Sequence, residues 1–208
     1  KRPIQIAMSY DEEVGCIGAP FMAAEMAKLM PKASAAIIGE PSMMKAVSGH
    51  KGGLGIKTHV RGFEVHSSLQ HIGVSAIHEA AKLIEWANQM NIQNELLDRS
   101  EATSMFIPPW TTVHVGTIEG GTANNITAKD CHFVMGFRVI PNERATDWKQ
   151  AYESKVREVE AAMKKINPDS FIMLDAAHDV PGLRPEDDGT AEALVRKLTG
   201  DNGQHVVS

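Results

Sequence analysis

The sequence predicts an α/β fold that carries an α+β insertion, and three observations support this prediction. A strand–helix–strand pattern opens the chain, a β-α-β-β-α-β pattern fills its middle, and a glycine-rich stretch separates the two. We therefore expect part of an α/β domain over residues 1–53, a ferredoxin-like domain over 54–178, and a second part of the α/β domain over 179–208.

The opening pattern consists of two apolar runs around a helical segment. Residues 4–8 and 35–39 are short and apolar, which predicts two buried strands. Residues 19–30 are rich in Ala, Met, Glu and Lys, and Pro31 follows them, which predicts a helix that ends at this proline. Four glycines within residues 49–55 then predict a hinge.

In the middle of the chain, segments with the two-residue period of strands alternate with segments that have the spacing of amphipathic helices. Side chains alternate with period two in three segments, which predicts strands over residues 56–61, 112–118 and 133–139. Residues 171–176 predict a last strand. Helical spacing from Val74 to Met90 and from Trp148 to Ile166 predicts two helices. This order is the split βαβ arrangement, in which an antiparallel sheet has two helices on one face. Residues 190–198 predict one more helix.

Composition excludes several classes of protein. The 208 residues carry a net charge of −5, which argues against a dedicated nucleic-acid surface. No apolar run approaches the ~20 residues of a membrane span, so we expect no membrane partner. Cys16 and Cys131 form no metal-spaced pattern and predict free thiols in the cytoplasm. The chain begins in an apolar run and ends in a predicted strand, so we expect a piece of a longer protein.

Acidic residues follow both predicted strands of the opening pattern. Asp11, Glu12 and Glu13 come after the first strand, and Glu40 comes after the second. Ligands bind at the ends of strands in open α/β sheets, and a metal ion would relieve the repulsion between clustered carboxylates. Each acidic segment alone is also typical of a solvent-exposed turn. Two such segments at the ends of neighbouring strands would point into the same crevice, which favours a shared binding site.

Three further polar residues are candidates for a site in the predicted ferredoxin-like domain. His66 follows a strand and could donate a hydrogen bond to a developing oxyanion, or simply cap the next helix. Asn125, in the segment Gly120–Asn125, could offer its amide to a substrate, although Gly and Asn are also typical of a hairpin turn. Arg138 could pair with a substrate carboxylate, or lie on the surface as an ordinary arginine.

The order of these motifs resembles a known family. Residues 10–15 (YDEEVG), 39–41 (GEP), 66–68 (HSS), 120–125 (GGTANN) and 137–138 (FR) are similar to the acetylornithine deacetylase / succinyl-diaminopimelate desuccinylase family of di-zinc metallopeptidases and amidohydrolases. The resemblance is greatest to the acetylornithine deacetylase branch. It implies a two-zinc (or cobalt) catalytic α/β domain in arginine biosynthesis, with an inserted ferredoxin-like lid that forms a homodimer.

The resemblance also implies a role for each candidate residue. Glu12 corresponds to the general base, and Glu13 and Glu40 correspond to ligands of the two metal ions. His66 corresponds to a lid histidine that enters the partner's active site, and Asn125 and Arg138 correspond to residues that contact substrate. The family's remaining ligands would lie before Lys1 and after Ser208, so we expect this chain alone to bind zinc poorly and to be inactive.

Several alternatives remain open at this stage. The substrate of an intact enzyme could be a small N-acyl amino acid such as N-acetyl-L-ornithine, or instead succinyl-diaminopimelate or a dipeptide. A non-catalytic dimerisation or interaction module would need no Glu12, Glu13 and Glu40 together. Regulatory binding of an amino acid by the ferredoxin-like domain would leave the flanking α/β segments unexplained.

Overall fold

The computed structural model describes residues 3–98, 100–186 and 189–208. It divides the chain into two compact units. The first unit comprises the residues up to Gly49 together with Arg184–Val207, and the second comprises His50–Leu183 with Ser208. The second unit therefore lies within the sequence of the first, as an inserted domain does.

The second unit has the predicted β-α-β-β-α-β order. Its main elements are β2 (Gly52–Arg61), α2 (Ala76–Leu96), β3 (Thr112–Gly120), β4 (Asp130–Val139), α4 (Ala145–Ile166) and β5 (Phe171–Val180). A 3-10 turn at Ser67–Ile72 and the short helix α3 (Glu101–Ser104) lie in the connections. The strands form one antiparallel sheet in the order β3-β4-β2-β5, so the ferredoxin-like prediction is confirmed.

One face of this sheet is buried under α2 and α4. Alternate residues of the central strands point into that core, including Val60 of β2 and Met135 of β4, both with no exposed surface. Tyr152 of α4 is equally buried, and its hydroxyl shares a 2.8 Å hydrogen bond with the Thr58 hydroxyl. The alternation follows from the two-residue period of a strand, which sends successive side chains to opposite faces.

The opposite face of the sheet carries mostly polar side chains. Lys57, His59 and Arg61 of β2 lie there, beside His132 and Arg138 of β4. Neither helix of the unit covers this face, because α2 and α4 both pack against the core side. Functional groups on this face are consequently open to solvent or to a ligand.

The chain enters and leaves the second unit at one place. His50 and Leu183 form an antiparallel bridge, with N–H to O distances of 3.0 and 2.9 Å between them. Gly52 and Gly182 follow on the inner side, and a Cβ on Gly52 would lie 2.9 Å from the Gly182 nitrogen. Three of the four glycines in the predicted hinge, Gly52, Gly53 and Gly55, belong to β2.

The first unit contains α1 (Gly18–Leu29), α5 (Thr190–Thr199) and a two-stranded sheet of β1 (Val47–His50) and β6 (His205–Val207). These two helices agree with the sequence prediction. The predicted strands at residues 4–8 and 35–39 are wrong, because neither segment forms a ladder. Their side chains are also exposed, Ile4 by 87% and Ile38 by 75%. A buried parallel strand requires paired neighbours, and neither segment pairs with another strand in the part of the chain that the structure describes.

Neither unit offers a membrane span in its described part. Within residues 3–98, 100–186 and 189–208, no helix has both the length and the apolar character needed to cross a bilayer. Both cysteines are free thiols, as predicted, with Cys131 buried in the core of the second unit and Cys16 half-buried in the first.

Candidate functional site

The first acidic motif forms a tight turn before α1. The Glu12 carbonyl oxygen accepts hydrogen bonds from the N–H groups of Gly15 and Cys16, both at 3.0 Å. These bonds fold the chain back towards the start of α1 at Gly18. The side chains of Glu12 and Glu13 are exposed, so both carboxylates are accessible.

The second acidic motif is also a turn. The Ser42 N–H donates to the Glu40 carbonyl oxygen at 2.7 Å, and the Ser42 hydroxyl donates to the Lys45 carbonyl at 2.8 Å. The Glu40 side chain is exposed. Both predicted acidic positions thus lie in hydrogen-bonded turns with free access to solvent.

Unusual backbone conformations accompany these two turns. In the described part of the chain, the non-glycine residues with positive φ are Asp11 (55°), Cys16 (57°), Met43 (56°) and Met44 (61°). All four flank the acidic turns. Positive φ is disfavoured for residues with a Cβ, and such conformations concentrate at functional sites in proteins. Their distribution favours a functional role for the two turns.

The first unit does not assemble a metal site from these acids alone. Among the described residues, Glu12, Glu13 and Glu40 belong to no group of three metal-ligating side chains with ligand atoms within 4.8 Å of one another. A zinc site normally has three or four protein ligands. These carboxylates therefore supply only some of the ligands that a zinc site needs.

His66 is held in a defined orientation at the start of the 3-10 turn. The Ser68 N–H donates to His66 Nδ1 at 3.3 Å, and the Ser68 hydroxyl lies 2.8 Å from the same nitrogen. Because Nδ1 accepts from the main chain, a neutral ring carries its proton on Nε2. The exposed ring therefore presents Nε2–H as a hydrogen-bond donor.

Asn125 lies beside His66. The Ser67 N–H donates to the Asn125 carbonyl oxygen at 2.9 Å, and His66 forms an isolated antiparallel bridge with Ile126. Thr127 fixes the same pair of segments, since its hydroxyl accepts from the Val65 N–H at 2.9 Å. The structure thus brings together two predicted site residues that are far apart in sequence.

Arg138 lies at the other end of β4. It is opposite Gly53 of β2 and Thr112 of β3, on the face away from the helices. A Cβ on Gly53 would lie 3.2 Å from an Arg138 guanidinium nitrogen and 3.7 Å from His178 Nε2. The absence of a side chain at Gly53 therefore leaves room for the Arg138 and His178 side chains.

The second unit separates Arg138 from His66 and Asn125. Arg138 is eight residues along the extended strand from Asp130, a span of about 26 Å at ~3.3 Å per residue. His66 and Asn125 lie beyond the Asp130 end, because the bridge of His66 to Ile126 precedes β4. These residues cannot contact one small substrate within a single copy of this unit.

The sheet also assembles a cluster that the sequence analysis missed. His59 and His132 are direct partners in the β2–β4 ladder, with rings stacked at a centroid distance of 4.1 Å. His59 Nε2 lies 2.7 Å from an Asp130 carboxylate oxygen. These residues show no motif in sequence, and only the register of the two strands could have revealed the cluster.

Asp130 is the charged centre of this cluster. Arg61 donates from one nitrogen to both Asp130 oxygens, at 2.9 and 2.8 Å. Partial burial tends to raise the pKa of Asp130, but the hydrogen bonds from His59 and Arg61 outweigh it and hold the pKa below its usual value. The carboxylate is therefore ionised at neutral pH.

Comparison with known proteins agrees with this architecture. The model of the M20 peptidase dimerisation domain matches residues 48–164. The acetylornithine deacetylase of Myxococcus xanthus is 30% identical over 202 residues, which are 94% of this chain and 52% of that protein. The acetylornithine deacetylase of Pasteurella multocida is 30% identical over 209 residues, 99% of this chain and 51% of that protein. The chain thus spans about half the length of these relatives.

Solved structures show the same fold. A tripeptidase from Staphylococcus aureus superposes with a TM-score of 0.64 at 20% identity, covering 96% of this chain and 48% of that protein. The aminopeptidase PepT from Bacillus cereus gives a TM-score of 0.56 at 20% identity, with 96% and 48% coverage.

The ferredoxin-like unit is therefore a peptidase dimerisation domain. The chain belongs to the M20 peptidase family, and the resemblance based on its motifs is confirmed.

Proposed function

We propose that the intact protein is a metal-dependent amidohydrolase that removes the acetyl group from N-acetyl-L-ornithine in cytoplasmic arginine biosynthesis. The observation that carries this proposal is that the first unit exposes two acidic turns and the second unit presents a histidine N–H donor. The similarity to acetylornithine deacetylases over nearly the whole chain supports the choice of substrate.

Glu13 and Glu40 would each supply one carboxylate ligand to a pair of zinc or cobalt ions. Carboxylate oxygens suit both metals, and the exposed turns leave these side chains free to bind. When bound, two such ions polarise the scissile carbonyl and lower the pKa of the attacking water. The rest of the chemistry belongs to the side chains of the chain itself.

Glu12 would act as the general base. Its carboxylate is adjacent in sequence to the ligand Glu13, in a turn whose main chain is fixed by two hydrogen bonds to the Glu12 carbonyl. The carboxylate takes the proton from the attacking water and then delivers it to the leaving amine nitrogen. Proton transfer of this kind contributes about 10²–10⁴-fold to a rate.

His66 would stabilise the oxyanion. Its Nε2–H points away from Ser68, so it can donate to the carbonyl oxygen as negative charge develops there. Arg138 would pair with the substrate carboxylate, and Asn125 would offer its side-chain amide to the substrate. Closure of the lid over the site would exclude water.

These roles need a second copy of the chain. His66 and Asn125 lie beyond the Asp130 end of β4, and Arg138 lies near the other end of this strand, about 26 Å from Asp130. A homodimer formed through the second unit could place His66 and Asn125 of one subunit beside Arg138 of the other. The match to a dimerisation domain supports this arrangement.

We infer that the acids of the first unit do not hold zinc tightly in the 208-residue chain alone. One carboxylate per ion is fewer than the three or four protein ligands of a typical site. The chain alone should accordingly show no turnover of N-acetyl-L-ornithine. Two tightly bound ions per chain that are lost in E13Q and E40Q, or measurable turnover, would contradict this inference.

The test of the proposed function is the substitution Glu12→Gln in the intact protein. We expect kcat for N-acetyl-L-ornithine hydrolysis to fall by about 10²–10⁴-fold, with unchanged metal content and unchanged dimer mass. E25Q is the matched control, since Glu25 lies exposed on α1 and pairs with Lys28 at 2.7 Å. An unchanged kcat in E12Q would overturn the assignment of the base.

A panel of substrates tests the substrate class. N-acetyl-L-ornithine, succinyl-diaminopimelate and a dipeptide should be compared by kcat/KM in the same preparation. Preference for either of the last two would replace the proposed substrate but keep the hydrolase. Dimerisation without turnover of any of the three would favour the non-catalytic interaction module instead.

A further inference from the structure

A second candidate metal site lies on the open face of the lid sheet, away from the acidic turns of the first unit in sequence. It consists of His59 on β2 with Asp130 and His132 on β4. One ligand atom from each of these three side chains lies within 4.8 Å of the other two. Among the described residues, no other group of three potential metal ligands has its ligand atoms this close together.

The backbone fixes this arrangement. His59 and His132 are directly opposite each other in the antiparallel ladder, and Arg61 is opposite Asp130 two residues further along. Residues two apart on a strand share a face, so all four side chains are on the same side of the sheet. The geometry therefore depends on strand register and not on a flexible loop.

The three ligand atoms suit a transition metal such as Zn²⁺, which binds both nitrogen and oxygen ligands. Two imidazole nitrogens and one carboxylate oxygen form a common ligand set for Zn²⁺, with water in the fourth position. His132 is exposed and can rotate, while His59 and Asp130 are partly buried and restrained. Small rotations of the His132 ring would bring its nitrogen to bonding distance from an ion shared with the other two.

Arg61 orients the Asp130 carboxylate but does not occupy all of its lone pairs. Asp130 accepts three hydrogen bonds, two from Arg61 and one from His59. If His59 bound an ion through Nε2, this nitrogen would lose its proton and its hydrogen bond to Asp130. The two hydrogen bonds from Arg61 would remain, and about two of the four lone-pair sites of the carboxylate would be free. The guanidinium also prevents Asp130 from rotating, and restrained ligands of this kind lose less freedom on binding an ion.

We propose that His59, Asp130 and His132 form a zinc-binding site on the lid that joins β2 to β4. It shares no residue with the proposed ligands of the catalytic metals, and it does not depend on the proposed hydrolase activity. The site lies at the sheet end from which the segments with His66 and Asn125 extend. A bound ion would stabilise the strands from which these two segments extend.

The test is a titration of the 208-residue chain with Zn²⁺, in an E13Q/E40Q background that removes the two carboxylates proposed to bind the catalytic metals. We expect one ion to bind per chain, with shifts of the His59 and His132 ring signals in NMR spectra. H132N should weaken binding by more than about tenfold, and D130N by about 10–100-fold. Mg²⁺ should not compete, because hard cations prefer oxygen ligands.

H114N provides the matched control. His114 is exposed on the same sheet face, on the neighbouring strand β3, and is not part of the cluster. Its substitution should leave zinc affinity unchanged, and circular dichroism should show that each variant is folded. The proposal is overturned if Zn²⁺ does not bind, if H132N binds as tightly as H114N, or if the shifted ring signals belong to other histidines.

Discussion

The Ser67 N–H donates a 2.9 Å hydrogen bond to the carbonyl oxygen of Asn125. This bond joins the segment that carries His66 to the segment that carries Asn125. A second contact lies close by, where the Thr127 N–H donates to the Val65 carbonyl at 2.9 Å. The two candidate substrate-contacting residues are consequently parts of one local structure, and disturbance of either segment should affect both.

Thr127 should be the most sensitive point of this local structure. Its buried hydroxyl accepts from the Val65 N–H and donates to the Phe63 carbonyl, both at 2.9 Å. T127V leaves the Val65 N–H without this partner and should lower the free energy of unfolding by about 1–3 kcal/mol. It should also lower kcat in the intact protein, because His66 loses its support.

T127S is the matched control, since it keeps the hydroxyl. Urea denaturation and steady-state kinetics of the two variants check the prediction. Equal stability and equal kcat for T127V and T127S would show that the hydroxyl does not hold this segment.

Gly62 connects β2 to the segment with His66 and has no room for a side chain. A Cβ there would collide with the Val74 carbonyl oxygen and lie 2.9 Å from the Ala76 nitrogen. Both are main-chain atoms, so G62A should destabilise the second unit by about 1–3 kcal/mol. G136A is the control, because its Cβ would only reach ordinary contact, 3.4 Å from the His114 carbonyl. Equal midpoints of thermal unfolding for G62A and G136A would contradict this prediction.

Thr58 and Tyr152 should show energetic coupling. Their hydroxyls are 2.8 Å apart in the core, and burial raises the pKa of Tyr152. T58V leaves the Tyr152 hydroxyl buried without this partner, at a cost of about 1–3 kcal/mol. The double variant T58V/Y152F should cost less than the sum of the single variants. Strict additivity in urea denaturation would argue against the hydrogen bond.

Asp201 should make the first unit sensitive to acid. The Ala46 N–H donates to it at 2.9 Å, and this bond, with His205 and Gly203, lowers the pKa of Asp201 from 3.8 to about 2. Because the folded pKa is lowered, the stabilisation is complete above about pH 4 and disappears as the pH falls towards 2.

Amide exchange at Ala46 measures this effect directly. Protection should fall between pH 4 and 2 in the wild type, and D201N should show weak protection throughout that range. D169N, with an exposed side chain in the second unit, is the control and should follow the wild type. An unchanged profile in D201N would contradict the assignment.

The fold of the second unit could be predicted because its patterns are local. The stripe of Tyr152, Val156, Val159 and Met163 predicts α4, and all four residues are buried. The strands at residues 4–8 and 35–39 were predicted from apolar character alone, and the structure shows neither as a strand. An apolar run specifies that a segment favours burial, but a strand also needs partners for its main-chain groups.

The candidate site was predictable only in part, for a related reason. Individual residues such as His66 and Asn125 could be identified from their motifs, but their proximity depends on the bridge between His66 and Ile126. His59 pairs with His132 through the register of the two strands. The two histidines are separated by 72 residues in the sequence, so no short motif contains both of them.

We propose that each active site combines Glu12 of one subunit with His66 from the lid of the other, as the family resemblance implies for this histidine. Complementation between E12Q and H66A in the intact protein tests this most directly, because each variant alone should be inactive. After the two are unfolded together and reassembled, about half of the dimers should be mixed, and each mixed dimer should contain one complete site. Because half of the dimers have one of their two sites complete, we expect recovery of about a quarter of the wild-type activity. Mixed dimers that are as inactive as the separate variants would contradict it.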